Sequence, residues 1–266
     1  MTAALFLAHP GALDGLAPGS AYALEGTEAR HAGVVQRRRA GERVDVADGA
    51  GLRLECRITA VEPGRVGLEV LHVRREEPPA VPVRLVQALA KGDRDELAIE
   101  AATEVGVDGV IPWQAQRSVV VWRGDRAAKS RAKWCATVRQ ATKQSRRAHE
   151  PTVADAVDTR GLVALVRAAV ADGGCALVLH EEAQTPLYSV ELPTRGEILL
   201  VVGPEGGIDE GEVEALEAAG ARTVRLGPHV LRTSTAGPVA LALVLSRLGR
   251  WGAPGAGGGP QVAGLA

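Results

Sequence analysis

Ile198-Leu199-Leu200-Val201-Val202-Gly203-Pro204-Glu205-Gly206-Gly207-Ile208-Asp209-Glu210-Gly211-Glu212-Val213 decides how the chain is to be read. Its first five residues are an unbroken apolar run, the mark of a short strand buried on both faces. Asp209 is placed to cap a helix, with Glu212 three residues on as its capping-box partner and Ile208 and Val213 as a hydrophobic staple. Gly203-Pro204-Glu205-Gly206-Gly207 therefore lies between the end of a buried strand and the start of a helix. Taken alone, five such residues mark a turn. In an open α/β sheet, however, that is where ligands bind, because glycines let a ligand approach the backbone. The turn is neither Gly-x-Gly-x-x-Gly nor a Gly-Lys-Ser/Thr phosphate loop, so the common nucleotide cradles do not apply.

Downstream, Thr223-Val224-Arg225-Leu226 reads as a second strand. It ends in the loop Gly227-Pro228-His229-Val230-Leu231-Arg232-Thr233-Ser234, and an apolar helix follows from Val239 to Leu248. Two glycine-bearing loops after successive strands are expected to wall one pocket. Upstream, strands are expected at Val83–Ala90, Val110–Trp113 and Ala176–Leu179. They alternate with helices at Asp93–Val107, with Leu97, Ala101, Ala102 and Val105 on one side, at Ala127–Ala148 and at Thr159–Asp172. Such alternation implies a mostly parallel sheet covered on both faces. Residues 1–73 differ: Val44 and Val46, then Leu52, Leu54, Cys56 and Ile58, then Val66, Leu68 and Val70 alternate with polar neighbours around Asp48-Gly49 and Pro63-Gly64. That pattern predicts a small antiparallel barrel. Arg74 to Pro82 carries three prolines and no period, and is expected to link the domains at 74–82. The α/β domain spans 83–251, and the Gly/Pro/Ala-rich tail 252–266 is expected to be disordered.

A net charge of −1 argues against a nucleic-acid partner, but the charge is segregated. Between Arg117 and His149 lie Arg117, Arg123, Arg126, Lys129, Arg131, Lys133, Arg139, Lys143, Arg146 and Arg147, against the single acid Asp125. A block of this kind is the footprint of a protein that docks on a phosphate backbone. Arg37-Arg38-Arg39 is either a solvated turn or a second contact of the same kind. Cys56, Cys135 and Cys175 are scattered without metal-ligand spacing, so no metal site is expected and all three read as buried small residues. No signal-peptide pattern and no membrane-length apolar run is present, which points to the cytoplasm.

Gly203-Pro204-Glu205-Gly206-Gly207, then Leu226-Gly227, then Leu231-Arg232-Thr233-x-Thr235-Ala236 resemble the signature of the RsmE family of SPOUT-superfamily methyltransferases. The resemblance extends to Lys91-Gly92-Asp93-Arg94, Thr103-Glu104-Val105-Gly106-Val107, Arg117-Ser118, Trp134 and Gln144-Ser145-x-Arg147, with His31 and Arg37 near the N-terminus. It covers about residues 30 to 248, and its specificity lies in the combination. Members methylate N3 of one uridine near the decoding centre of small-subunit (16S) ribosomal RNA, using S-adenosyl-L-methionine. The resemblance therefore implies a PUA-like barrel, a SPOUT domain with a C-terminal trefoil knot, and a homodimer that acts on ribosomal RNA, within the assembled subunit, away from membranes.

For the cofactor it implies Leu179, His180, Glu181, Gly203, Pro204, Glu205, Gly206, Gly207, Leu226, Gly227, Leu231, Arg232, Thr235 and Ala236. For RNA it implies Arg37, Arg38, Arg39, Lys91, Arg94, Arg117, Arg131, Lys133, Lys143, Arg146 and Arg147. Arg232 is the expected catalytic group, acting on the developing uracil anion or on the nucleotide phosphate. Glu205 is either a general base or a loop-orienting carboxylate. The chain departs from the family at Ser234, where a glutamate is usual, at Gln36 for leucine and at Ala101 for lysine. Two rival readings stay open: a SPOUT enzyme of other specificity, such as one acting on tRNA, and a non-catalytic RNA-binding assembly factor.

Overall fold

The computed structural model describes residues 3–251; the tail from residue 252 lies outside them. The chain divides into two compact units. One comprises the described residues up to Pro78 together with Thr142–Glu150; the other comprises Pro79–Ala141 and the described residues from Pro151 on.

The first unit contains β1 (Ala4–Leu7), β2 (Ala21–Glu25), α1 (Gly26–Arg30), a π-helical turn (His31–Val35), β3 (Arg43–Ala47), β4 (Leu52–Glu62) and β5 (Arg65–Arg75). They form a five-stranded sheet in the order β1-β3-β4-β5-β2. Leu52, Leu54, Cys56 and Ile58 are buried as the alternation requires, and face Val66, Leu68 and Val70 in one core with Phe6 and Leu24. Burial pushes the Cys56 thiol up to about 12, which leaves it an inert packing group. The sheet is not wholly antiparallel as expected, because β1 pairs parallel to β3. The intervening β2 and α1 supply the long crossover that a parallel pair needs. β5 runs through Arg75, inside the stretch expected to be linker.

Thr142–Glu150 joins this unit through polar contacts that composition did not reveal. Arg53 Nη2 donates to the Arg146 carbonyl at 2.6 Å, and His149 Nε2 lies 2.8 Å from the Glu76 carbonyl. Gly51 must be glycine: its φ is +105°, and a Cβ there would lie 2.4 Å from the Glu76 carbonyl oxygen. Lys143, expected to meet RNA, turns inward instead, its side chain only 8% exposed. It donates to Glu28 Oε1 at 2.8 Å and to His31 Nδ1 at 3.0 Å, so His31 is held neutral with its proton on Nε2. A buried ammonium needs such partners, and it is unavailable to a phosphate.

Burial first, then the Lys143 charge, lowers the pKa of His31. A histidine whose folded pKa is depressed binds its proton more readily once unfolded, so the associated stability is present above its unfolded value of about 6.5 and is lost as pH falls through the folded value. The melting midpoint is accordingly expected to decline faster below pH 6.5 in the wild type than in His31→Gln. Parallel melting curves of the two proteins across pH 7.5 to 5 would contradict this.

The second unit contains β6 (Val83–Ala88), α2 (Arg94–Val105), β7 (Gly109–Gln114), α3 (Asp125–Ser145, ending in the first unit), β8 (Thr152–Val153), β9 (Val157–Asp158), α4 (Thr159–Ala171), β10 (Cys175–Leu179), a 3₁₀ turn (Leu187–Ser189), β11 (Ile198–Val202), α5 (Glu210–Ala218), β12 (Arg222–Val224) and α6 (Thr233–Arg247). The sheet order is β12-β10-β11-β6-β7-β8, with β9 also on β7, and the pairings are parallel. All five residues of β11 are buried. Leu200 and Val202 enter a core with α2 and α6, whereas Leu199 and Val201 enter the opposite core with α4 and α5. A strand with a core on each face is apolar at every position, as the opening stretch is.

Three expectations shift. β12 stops at Val224 because Arg225 pairs its backbone with Thr185 and Leu187 instead. α3 ends at Ser145, where Arg146 takes φ +56°. Leu97 is exposed, and α2 buries Ala98, Ile99, Ala102 and Thr103 instead.

The sheet order positions the site. β6 and β11 are neighbours, yet α2, which follows β6, packs on one face, and α5, which follows β11, packs on the other. Loops that part to opposite faces open a crevice at the strand ends.

Candidate active site

A cleft of about 1130 Å³ opens at that end of the sheet, lined by the residues that follow β10, β11 and β12. Its floor is the glycine turn. A Cβ on Gly203 would lie 2.5 Å from Ile208 Cγ1, so the chain can turn back on itself only with glycine there. Gly207 N–H donates to the Pro204 carbonyl at 3.0 Å, closing a turn with Gly207 at φ +76°. At Gly206 a Cβ would meet only Arg117, no nearer than 3.5 Å, and at Gly227 it would meet nothing within 4 Å. The protein itself thus leaves bare backbone facing the cleft at those two glycines.

The expected capping box is present. Asp209 accepts from Gly211 N at 3.1 Å, and Glu212 accepts from Asp209 N at 3.3 Å. Glu212 is also a buried hub, accepting from Gln116 N at 2.9 Å and from the Thr159 hydroxyl. That bond fixes the loop after β7 so that the next residue, Arg117, reaches the turn. Arg117 donates to the Gly206 carbonyl at 3.3 Å and to Asp209 Oδ2 at 3.1 Å. Glu205 accepts from Lys91 N at 3.1 Å and from Arg94 Nη1 at 3.0 Å. Glu205 Oε1 therefore spans the crevice, tying the β11 loop to the β6 loop.

Leu179, His180, Glu181, Gly203, Pro204, Glu205, Gly206, Gly207, Leu226, Gly227, Leu231, Arg232 and Ala236 all line the cleft. Thr235 does not. It is exposed on α6, about 200° around the helix from Thr233, whereas Thr233 and Ala236 share the lining face. Arg94 and Arg117, expected at RNA, also line the cleft, as do Glu210, Glu214 and Glu217 from one face of α5. The glutamates recur at helical spacing, a signal legible in the sequence; the two arginines were legible only through the family-like stretches that carry them, and those pointed to RNA. Arg232 is exposed at the mouth, with no ion pair among the described residues. His180 accepts on Nδ1 from Glu182 N at 3.3 Å.

The expected RNA residues fall in both units. Arg37 (φ +53°) and Arg39 are exposed, whereas Arg38 pairs with Glu42 at 3.2 Å. Arg146 is exposed and Arg147 half-buried. In the other unit, Lys91 is exposed, Arg131 pairs with Asp155 at 3.0 Å, and Lys133 reaches Glu96 at 2.5 Å. Arg126 and Lys129, early on α3, are exposed and carry no such partners among the described residues. No cluster of three or more metal-ligating side chains occurs among the described residues.

Residues 76–245 match the family model described as RNA methyltransferase domain, a span that contains every residue lining the cleft. Ribosomal RNA small subunit methyltransferase E of Mycobacterium bovis is 47% identical over 237 residues, covering 88% of this chain and 90% of the relative. The chain belongs to the ribosomal RNA small subunit methyltransferase E family. Its member in Bacillus subtilis is 32% identical, with 84% of this chain and 89% of the relative covered. The crystal structure of a family member from Neisseria gonorrhoeae, bound to S-adenosyl methionine, superposes with a TM-score of 0.79 at 29% identity, covering 92% of this chain and 98% of that one. The glycine turn that floors the cleft, at the junction of β11 and α5, lies within the matched span.

Proposed function

We propose that this chain transfers a methyl group from S-adenosyl-L-methionine to N3 of a decoding-centre uridine in small-subunit ribosomal RNA. The observation that carries the reading is the cleft at the ends of β10, β11 and β12, floored by bare glycine backbone, in a chain of this family. The cleft fits the cofactor: it is of small-molecule size or larger, it offers Leu179, Leu226 and Leu231 as apolar walls, and no Cβ intrudes at Gly206 or Gly227. Gly203, Gly206, Gly207, Leu226 and Gly227 would hold it. When bound, S-adenosyl-L-methionine supplies an electrophilic methyl group on a sulfonium.

The remaining work falls to the chain's own residues. In-line transfer needs positioning above all, which the clamped turn provides. Uracil N3 sheds its proton to solvent water at the open mouth of the cleft, and the guanidinium of Arg232 stabilises the charge that develops on the uracil oxygens. Glu205, already accepting from Arg94 and Lys91, orients the loop rather than taking the proton.

The insertion of β11 between β10 and β6, with α6 returning onto β6 and β11, supports a knotted C-terminal segment. The five-stranded sheet with α1 supports a PUA-like RNA-binding unit. Val239 and Leu243 on α6, Leu97 on α2 and the neighbouring Val230 are exposed apolar side chains that support a homodimer. The site of action is the cytoplasm, where small subunits are assembled. Mass mapping of methylated nucleotides in 16S ribosomal RNA and in small subunits, each incubated with the protein and labelled cofactor, tests the reading. Methyl transfer to a base other than uracil, or to tRNA alone, would overturn it.

The basic block divides under this reading. Replacing Arg126 and Lys129 by alanine is expected to lower the log–log salt slope of RNA binding by roughly 0.7–0.9 for each phosphate left without its cation. Lys143→Met should instead lower the melting temperature and leave the slope alone, because the Lys143 charge is consumed by Glu28 and His31. Binding measured between 50 and 300 mM salt checks both; a slope that answers to Lys143 and not to Arg126 and Lys129 would invert the assignment.

A further inference from the structure

Gln87 is a fully buried polar side chain on β6, amid Leu85, Val86 and Ala88, where an apolar residue would fill the same space. Its Nε2 donates to Thr233 Oγ1 at 2.8 Å, and Thr233 Oγ1 lies 2.8 Å from the Gly203 carbonyl. A hydroxyl has one proton. Thr233 spends it on Gly203, so it can only accept from Gln87, and this fixes the orientation of the amide. The second Nε2 proton goes to the Ala88 carbonyl at 3.2 Å, and Oε1 is buried without a partner. A methionine would avoid that orphaned oxygen, so the amide is a poor choice for the core taken alone.

What the amide does is aim the Thr233 hydroxyl. Thr233 opens α6 directly after Arg232, and Gly203 opens the glycine turn. We infer that Gln87 is a positioning residue for methyl transfer: through Thr233 it latches the start of α6 to the β11 loop, ordering both cofactor-holding loops before the ligand arrives. The inference rests on the cleft being the S-adenosyl-L-methionine site. It adds a residue that touches neither substrate nor cofactor. Without the latch the two loops order only on binding, and that cost falls on cofactor affinity.

The test uses the full-length chain and four variants. Gln87→Met removes the amide at similar volume, and Thr233→Val removes the hydroxyl. Thr233→Ser keeps the hydroxyl, and the fourth variant combines Gln87→Met with Thr233→Val. Calorimetry is expected to show S-adenosyl-L-methionine binding weakened about tenfold in Gln87→Met and in Thr233→Val, no further weakening in the double variant, and near wild-type binding in Thr233→Ser. KM for the cofactor should rise, with kcat at saturation largely kept. Amide hydrogen exchange of the ligand-free proteins should be faster across residues 205–207 and 227–236 in Gln87→Met, and unchanged on β4 of the first unit.

Additive losses in the double variant, failure of serine to restore binding, or unchanged exchange in the two loops would overturn the latch. Because exchange is read without cofactor, the two claims separate. Wild-type protein that binds no S-adenosyl-L-methionine would remove the functional reading, and with it the role in methyl transfer, even if the exchange arm still showed a latch.

Discussion

Gly206→Val is expected to yield a folded protein whose affinity for S-adenosyl-L-methionine is lowered by about a hundredfold or more, equivalent to about 2.7 kcal/mol. The choice of glycine matters. Gly203 cannot report on the ligand, because a Cβ there collides with Ile208 at 2.5 Å and the fold itself would shift. Gly207 is equally unsuitable, since φ of +76° penalises any side chain by backbone strain. Gly206 has neither problem: its nearest neighbours are Arg117 atoms at 3.5 Å and beyond, an ordinary contact. A valine there adds bulk beside Arg117 at the cleft wall, where it competes with a ligand for space. The melting temperature should therefore stay within a few degrees of wild type while calorimetric binding disappears. A folded Gly206→Val protein with wild-type affinity would mean that the cofactor does not lie against the turn, and the cleft would lose its assignment.

The turn was legible because its signals are local. Strand, glycines and capping box follow one another within sixteen residues, and each depends on neighbours a few positions away. The continuous apolar run of β11 was equally legible, since two cores on opposite faces leave no polar position. What stayed hidden are pairings over long separations. Glu205 and Arg94 meet across 111 residues, and nothing near either announces it. Lys143 reads like any other cation of its basic helix, and only the fold shows Glu28 and His31 closing around it. The parallel β1–β3 pair is hidden for the same reason: alternation shows which side chains are buried, not the direction of the neighbouring strand. Leu97 was misplaced because it and Ile99 are apolar residues of equal size on opposite sides of α2, and only the fold shows that Ile99 is the buried one.

Arg232→Lys tests the chemistry rather than the binding. The Arg232 backbone carbonyl accepts from Thr235 N at 2.8 Å and Ala236 N at 2.9 Å as α6 begins, and any residue can do that. Its side chain is exposed, with no ion pair among the described residues, so the resting fold loses nothing on substitution. Lysine keeps the charge but not the planar fork, and it cannot hold one uracil carbonyl oxygen beside N3 with the fixed geometry of a guanidinium. If the guanidinium acts on charge that exists only in the transition state, turnover should fall about a hundredfold. RNA and cofactor affinities should then stay within about twofold of wild type. Single-turnover rates with pre-bound RNA isolate that step. If Arg232 instead anchors a phosphate, the loss will appear as weaker RNA binding, and the single-turnover rate of the bound complex will be that of the wild type. The geometry favours the first outcome. Arg94 and Arg117 are tied to Glu205 and Asp209 at 3.0 and 3.1 Å, and of the cleft arginines without an ion pair among the described residues, Arg225 and Arg232, it is Arg232 that adjoins Thr233, whose hydroxyl holds the Gly203 carbonyl of the glycine turn.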